Sequence, residues 1–193
     1  MYAIARNKEM VNGKGFFHAV RFYYDADGLC QIVADFLAEG FNAGQPAVIV
    51  ATPLHAARID ALLTARGFDV AALKRTDDLV VTSASEALTR IMVDDMPDPI
   101  RFERTVAPWL QTAASNGTPV RVYGEMVDLL WKAGDTHSAQ RLENFWNDLA
   151  SKLSFVLLCA YALEGFTHSA HISEICAHHT HVVTATGDVT LAH

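Results

Sequence analysis

The residues of this 193-residue chain with the clearest capacity for metal chemistry lie near its C-terminus. Cys176 and His179 are three residues apart, so a helix would place both side chains on one face. Thiolate and imidazole are usual ligands of Zn²⁺, which takes four protein ligands in structural sites. Cys159 is then a candidate third ligand, and His181 or His18 a fourth. Because this spacing matches no zinc-finger pattern, a buried thiol beside exposed histidines is the favoured interpretation, and no cofactor is expected.

Aromatic and charged residues at the ends of predicted strands indicate a second kind of site. Ligands of open parallel α/β sheets bind in the crevice beyond the carboxyl ends of the strands. A mainly apolar pocket with a few polar groups is typical of small-molecule sites. We therefore expect a ligand-binding crevice lined by these residues: His18, Tyr24, Glu125, Cys159 and Tyr161. The C-terminal segment that contains His179 is predicted to fold over this crevice as a lid.

Glu125 is the most informative of these residues, because it follows a predicted strand and precedes a predicted helix. A carboxylate in that position can orient a ligand or act as a general base. The alternative is a residue of the first helical turn that only favours the helix dipole, worth about 0.3–1 kcal/mol. Glu143 is instead interpreted as an ion-pair partner on a helix surface. Trp131 and Trp146 occupy apolar helix positions and are expected in the core.

Residues 22–52 predict a strand, a tight turn, a helix, a turn and a second strand. The tight turn, residues 25–28, lies where a nucleotide-binding protein has its phosphate loop. Such a loop needs glycines for close backbone approach, a lysine for the β- and γ-phosphates and a Ser or Thr hydroxyl for Mg²⁺. When Gly28 is aligned with the glycine before that lysine, Leu29 takes the lysine position and Cys30 takes the hydroxyl position.

Two acidic residues, Asp25 and Asp27, also stand where a phosphate group would arrive. The pattern therefore predicts the geometry of a nucleotide-binding fold with a degenerate phosphate loop that does not hydrolyse ATP. An ordinary βαβ unit with no history of nucleotide binding is the alternative.

The elements that must position these residues alternate along the chain. Apolar, β-branched runs predict strands at residues 18–24, 47–51, 79–82, 120–123 and 154–160. Helical apolar stripes of about 10–15 residues separate most of them, which is typical of βαβ units. The expected fold class is therefore three-layer α/β, with a mostly parallel sheet and helices on both faces. A short edge strand is also predicted within residues 68–73.

Composition excludes several classes of function. The chain is 51% hydrophobic and 19% charged, as expected of a globular domain with a substantial core. Its formal charge of -7 argues against a nucleic-acid-binding surface or an anionic membrane surface as partner. No apolar run approaches the roughly 20 residues needed to span a bilayer. Three cysteines are too few and odd in number for a disulfide framework, so we expect reduced thiols and a cytoplasmic location.

Three segments, taken together, resemble one known family. They are residues 18–23 (HAVRFY), 121–131 (RVYGEMVDLLW), and 141–149 (RLENFWNDL) with 157–161 (LLCAY). As a set they are similar to the MEDS domain, the sensory domain of methanogens and methylotrophs, and residues 175–181 (ICAHHTH) are similar to its closing segment. The resemblance divides the chain into an irregular lead-in at 1–14, a sensory domain at 15–183 and a C-terminal tail at 184–193.

This resemblance implies a RecA/KaiC-like core without ATPase machinery, used as a sensor. Members of the family act beside or fused to histidine kinases and transcription regulators, and are proposed to sense small organic compounds. The expected partners are therefore a small organic ligand and a histidine kinase or regulator, with self-association left open. Two alternatives remain: an enzyme of the same fold that uses Glu125, Cys159 or a histidine, and a structural partner protein without a ligand.

Overall fold

A computed structural model describes residues 17–114, 117–163 and 169–192 of the chain. The predicted lead-in at 1–14 lies outside the described residues. The strands are β1 (Phe17–Tyr23), β2 (Ala47–Ala51), β3 (Leu79–Ser83), β4 (Met92–Val93), β5 (Met96–Pro97), β6 (Val120–Gly124), β7 (Phe155–Ala162), β8 (His181–Val183) and β9 (Val189–Leu191). The helices are α1 (Ala26–Asn42), α2 (Pro53–Ala65), α3 (Val70–Arg75), α4 (Ala84–Ile91), α5 (Pro99–Ala113), α6 (Met126–Lys132), α7 (Thr136–Ala150) and α8 (Ser169–Ala177).

Seven of these strands form one sheet in the order β3-β2-β6-β7-β1-β8-β9. Every neighbouring pair is parallel except β8 and β9, which are antiparallel. β4 and β5 form a separate two-stranded antiparallel hairpin. The mostly parallel sheet predicted from the alternation of strands and helices is therefore confirmed, and all five predicted central strands are present.

The sheet separates two hydrophobic cores, which makes the fold three-layered. One core contains apolar residues of α4, α5, α6, α7 and α8. The other contains those of α1, α2 and α3. Alternate residues of one strand enter opposite cores, as with Val122 and Tyr123 of β6. Because both faces are covered, β2 is buried at all five positions, as its unbroken apolar run predicted.

The first helix shows why the local sequence folds as it does. Its apolar stripe, Leu29, Ile32, Val33, Phe36 and Leu37, is buried as the i, i+3, i+4 spacing predicts. Trp131 and Trp146 are buried in the core, also as expected.

The edge strand predicted within residues 68–73 is wrong, because α3 begins there. Asp69 caps this helix by accepting a hydrogen bond from the Ala72 N–H at 2.9 Å. An aspartate at this position favours a helix start over continued strand pairing.

The C-terminal residues extend the sheet. β8 pairs in parallel with β1, and β9, which lies within the predicted tail at 184–193, pairs with β8. The segment predicted to act as a lid therefore includes a strand beside β1, which places it in the plane of the sheet.

Chain connections change direction between β2 and β6, which are neighbours in the sheet. The chain leaves β2 through α2 and α3 toward β3, on one face. It leaves β6 through α6 and α7 toward β7, on the opposite face and in the opposite direction. Open α/β sheets bind their ligands at such a divergence, beyond the carboxyl ends of the two strands.

Candidate functional site

Glu125 lies at this point of divergence and forms what we call the switch-point cluster, with Thr52, His55 and Tyr123. Its Oε2 accepts a hydrogen bond from the Thr52 N–H at 2.7 Å. Its Oε1 accepts one from the Tyr123 hydroxyl at 2.6 Å and lies 2.6 Å from His55 Nδ1. Although Glu125 precedes α6, its side chain makes no capping hydrogen bond to that helix. The carboxylate therefore joins β2, α2 and β6, a larger role than interaction with a helix dipole.

The surroundings of Glu125 favour its charged form. Burial alone would raise the pKa of the carboxyl group, but hydrogen bonds from His55, Thr52 and Tyr123 outweigh it and the pKa lies below its usual value. The pKa of His55 is raised, first by its hydrogen bond to Glu125 and against the effect of its partial burial. Both shifts favour an ion pair of Glu125 with a protonated His55.

A neighbouring carboxylate, Asp128 of α6, connects the ends of β1 and β7. Its Oδ2 accepts a hydrogen bond from the Tyr23 hydroxyl at 2.8 Å, and its Oδ1 accepts one from the Ala162 N–H at 2.7 Å. Lys132 Nζ lies 2.8 Å from Oδ2 and 2.9 Å from the Tyr23 oxygen. Lys132 is half exposed, so this polar group extends from the buried strand ends to the surface.

A second group, the His–Cys–Glu cluster, consists of His18, Glu143, Cys159 and His179. One potential ligand atom of each residue lies within 4.8 Å of the others, and all four residues are buried. His18 Nε2 is 3.3 Å from both Cys159 Sγ and Glu143 Oε2. His179 Nε2 is 3.4 Å from Glu143 Oε1, which also accepts a hydrogen bond from the Tyr161 hydroxyl at 2.7 Å.

The surroundings in this second cluster favour a charged Glu143 beside a neutral His18 and a protonated Cys159 thiol. Burial would raise the pKa of Glu143, but the charge and hydrogen bonds of His179 and His18 reverse the shift and hold the pKa well below its usual range. Burial and the neighbouring His179 lower the pKa of His18. Burial and the Glu143 charge raise the pKa of the Cys159 thiol well above its ordinary value, so that thiol carries its proton at neutral pH.

The turn before α1 is occupied by its own acidic side chains. Asp25 caps the helix, with Oδ1 accepting the Asp27 N–H and Oδ2 accepting the Gly28 N–H, each at 3.0 Å. Asp27 forms an exposed ion pair with Arg58 at 3.0 Å. Leu29 and Cys30 occupy the positions aligned with the lysine and the hydroxyl of a phosphate loop. Both side chains are buried in the hydrophobic core beneath α1.

The residues predicted to line one crevice are divided between the two clusters. His18 and Cys159 lie in the His–Cys–Glu cluster, with Tyr161 directly bonded to it. Glu125 lies in the switch-point cluster, in which Tyr123 packs in the opposite core. Tyr24 is 73% exposed. The structure therefore does not bring the five together, and contact of any of them with a ligand stays a prediction.

The residues predicted as zinc ligands are similarly divided. Cys159 and His179 belong to the His–Cys–Glu cluster, whereas Cys176 and His181 do not. Cys176 is a buried free thiol, and the His181 ring stacks on Phe17 with centroids 4.6 Å apart.

The sequence pattern did not predict the roles of two central residues, Glu143 and His55. Glu143, expected on a helix surface, is completely buried, which corrects that interpretation. It lies four residues after Ala139 and three before Trp146, both of which are buried. This helical spacing was the available signal that Glu143 lies on the inward face. His55 was overlooked although it lies in the first turn of the helix that follows β2.

A cavity of about 200 Å³ lies away from both clusters, near the amino-terminal ends of β6 and β7. Its lining includes the apolar residues Leu110, Val120 and Leu153. Its position is at the opposite end of these strands from Glu125.

Comparison with solved structures defines the class of fold. The chain is similar to a KaiC-like protein from the hyperthermophilic archaeon Pyrococcus horikoshii OT3, with a TM-score of 0.61 and 12% sequence identity. The match covers 91% of this chain and 76% of that protein. The protein therefore has a RecA/KaiC-like α/β fold, as the sequence resemblance implied.

Comparison with family models defines the family. Residues 17–180 match the model described as "MEthanogen/methylotroph, DcmR Sensory domain", abbreviated MEDS. The chain belongs to this family of sensory domains. A comparison with curated proteins finds no match. Within the part of the chain that the structure describes, no helix combines the length and apolar character needed to cross a membrane.

Proposed function

We propose that this chain is a ligand-sensing domain that does not hydrolyse nucleotides and signals through a partner protein. The observation that carries this proposal is the carboxylate of Asp25 at the start of α1. It accepts the backbone N–H groups of Asp27 and Gly28 at 3.0 Å. Free N–H groups at a helix N-terminus are what bind phosphate in nucleotide-binding folds. Here, an acidic side chain of the protein itself takes that place.

The electrostatics of this turn oppose nucleotide binding. A phosphate group at the start of α1 would have to displace Asp25 and would lie close to two carboxylates, Asp25 and Asp27. Leu29 brings no positive charge to this turn, and the Cys30 thiol is a poor ligand for Mg²⁺. Burial and nearby carboxylates, led by Glu125, raise the pKa of this thiol to about 11. The thiol is therefore protonated at neutral pH, whereas a metal ion would bind only the thiolate.

The switch-point cluster is the place where we expect the sensed ligand to bind. It lies at the divergence of β2 and β6, and its polar groups are already held in fixed positions by short hydrogen bonds. His55 reaches the surface, with 13% of its side chain exposed. A small organic molecule with a hydrogen-bonding group would contact His55 and, through it, Glu125. Such a ligand would alter the hydrogen bonds through which Glu125 connects α2 to β6.

Output through a partner follows from the family rather than from a feature of the described residues. MEDS domains are sensory, and a sensor needs a protein that receives its signal. We propose a histidine kinase or transcription regulator as that protein. Three buried free thiols are compatible with the reducing cytoplasm, which is where we place this interaction.

Phosphate release from Mg·ATP tests the hydrolysis part of the proposal. The wild type should release no more phosphate than a buffer blank. The control is the Asp25→Ser variant, because serine also caps helices but carries no charge. Any release that the wild type shows above the blank, in a preparation free of contaminating ATPase, contradicts the proposal.

A thermal-shift screen with small organic compounds tests the sensing part. A compound that binds the folded state should raise Tm, by an amount that grows with concentration. His55→Gln should abolish that rise, whereas the exposed His137→Gln should not. A bound compound that is chemically converted by the purified protein would establish an enzyme instead. A rise in Tm that both variants retain would place the ligand elsewhere.

A further inference from the structure

We propose that the His–Cys–Glu cluster is a closed binding site for a divalent transition-metal ion of the Zn²⁺ type. The ligands would be His18 of β1, Glu143 of α7, Cys159 of β7 and His179, which lies between α8 and β8. This inference is independent of the sensed ligand and of the switch-point cluster, since it involves none of the same residues.

Three of the candidate ligand atoms have the spacing of tetrahedral coordination. Bonds to Zn²⁺ of about 2.0–2.3 Å require neighbouring ligand atoms to be about 3.3–3.7 Å apart. His18 Nε2 lies 3.3 Å from Cys159 Sγ and 3.3 Å from Glu143 Oε2. Sγ and Oε2 are 3.7 Å apart. These three atoms thus form one face of a tetrahedron, and His179 offers a fourth ligand atom within 4.8 Å of the others.

Hydrogen bonds assign a metal-binding tautomer to His18. Its Nδ1 lies 2.9 Å from Asn147 Oδ1, which can only accept. Asn147 is held in this orientation because its Nδ2 donates to the His178 carbonyl at 3.1 Å. Nδ1 must therefore carry the proton, and the neutral ring directs the lone pair of Nε2 toward Cys159 and Glu143. Such a partner on the second ring nitrogen is typical of histidines that bind metals.

The same argument applies to His179, which gives the independent evidence for a missing cation. Its Nδ1 lies 2.7 Å from the Ile175 carbonyl oxygen and therefore carries a proton, which leaves Nε2 as the position where a further cation, either a proton or a metal ion, would bind. Nε2 is buried and has no hydrogen-bond partner among the described residues. It lies 3.4 Å from the Glu143 carboxylate, and two electron-rich atoms at that distance repel each other unless a positive charge lies between them.

Protons alone satisfy this cluster poorly. The Cys159 thiol has one proton, yet two acceptors, His18 Nε2 and Glu143 Oε2, lie within its reach. A divalent ion would satisfy all four ligand atoms at once and would displace the thiol proton, because only thiolate binds metal. The Tyr161 hydroxyl would remain on Glu143 Oε1 and orient the carboxylate.

The ligand types and their burial define the class of metal and its role. Two imidazoles and a thiolate favour Zn²⁺ and related transition metals over Mg²⁺ or Ca²⁺, which prefer oxygen. All four positions would be filled by the protein, which is the arrangement of a structural site. The ion would tie the segment between α8 and β8 to the sheet and α7.

The test uses the full chain and two metals, Zn²⁺ and Co²⁺. Protein would be expressed with added zinc, and in parallel unfolded, stripped with chelator and refolded under reductant with Co²⁺. We expect one metal ion per chain by both routes. Co²⁺ should give the intense visible bands of a tetrahedral site and a thiolate-to-metal charge-transfer band. Wild-type protein that holds no stoichiometric metal by either route overturns the proposal.

Variants then identify the ligands. Cys159→Ser should remove the charge-transfer band, and His179→Gln should lose stoichiometric binding. Asn147→Ala, which removes the partner of the His18 ring, should weaken affinity by about 10–100-fold. The matched controls are Cys176→Ser and His181→Gln, a thiol and an imidazole outside the cluster, and both should retain one ion and the band. Loss of the band in Cys176→Ser with retention in Cys159→Ser would overturn the assignment.

Discussion

Replacing Glu125 by glutamine tests the structural reasoning at the switch-point cluster. If Glu125 only favoured the helix dipole, this change would cost about 0.3–1 kcal/mol. The structure indicates otherwise, because Glu125 is 1% exposed and three donors converge on its carboxylate. A glutamine keeps one acceptor oxygen and places an NH₂ group against at least one buried donor. Loss of charge-assisted hydrogen bonds of this kind should reduce the free energy of unfolding by about 1–3 kcal/mol.

The loss should depend on pH in a defined way. The pKa of Glu125 lies below 4.5, so its contribution is present above pH 4.5 and is lost as pH falls through the lowered value. The pKa of His55 lies above 6.5, so its contribution is present below pH 6.5 and is lost as pH rises through the raised value. The stability difference between wild type and Glu125→Gln should therefore be largest between pH 4.5 and 6.5 and smaller at alkaline pH.

Urea denaturation followed by tryptophan fluorescence at several pH values measures this difference. Glu103→Gln is the matched control, because Glu103 forms an ion pair with Lys152 in which both side chains are about half exposed. An exposed pair of this kind is worth at most about 1 kcal/mol. A Glu125→Gln protein as stable as wild type, or one whose deficit does not change with pH, would refute the ion pair and its network.

Two further predictions concern α1. Asp25→Ala removes the side chain that accepts two backbone N–H groups and should lower the free energy of unfolding by about 0.5–2 kcal/mol in urea denaturation. Asp27→Ala breaks only an exposed ion pair and should lower the free energy of unfolding by less. Equal losses in the two variants would contradict the capping role of Asp25. Gly40→Ala would place a Cβ 2.8 Å from Arg121 Cγ and Cδ, and Arg121 is held by bonds to Phe36 O and Gln45 Oε1. The helix would gain about 1 kcal/mol from alanine and lose about 1–3 kcal/mol to overpacking, so calorimetry should show a lower Tm; a higher Tm would mean that Arg121 moves freely.

The fold could be predicted from the sequence because the spacing of apolar residues indicates which side chains are buried. In a three-layer domain, the unbroken apolar run of β2 fits a strand that is covered on both faces, and the apolar stripe of α1 fits a helix that packs along one face. The α3 helix was missed because it has six residues, too few to establish a period, and its signal was a single capping residue, Asp69. β8 and β9 were missed because each has three residues and neither is buried throughout.

The clusters were harder to predict because they depend on which strands are neighbours. His18 and Cys159 are far apart in the chain and meet only because β1 pairs with β7. Glu143 was misassigned because a charged residue on a helix is usually exposed, and its burial follows from partners on three other elements. The turn at Asp25 involves only residues that are neighbours in the chain. Its departure from the phosphate-loop pattern could therefore be predicted from sequence alone, although its capping hydrogen bonds could not.

The most direct measurement of the central claim observes the backbone amides of Asp27 and Gly28 by ¹⁵N NMR during titration with Mg·ATP and with inorganic phosphate. Because Asp25 accepts hydrogen bonds from both amides at 3.0 Å, we predict that neither resonance shifts in a saturable manner with either anion. Asp25→Ala should move both resonances even without added anion, which confirms their assignment to the cap. Saturable shifts of these two amides in the wild type would show that phosphate displaces Asp25, and would contradict a sensor whose phosphate site is closed by its own side chain.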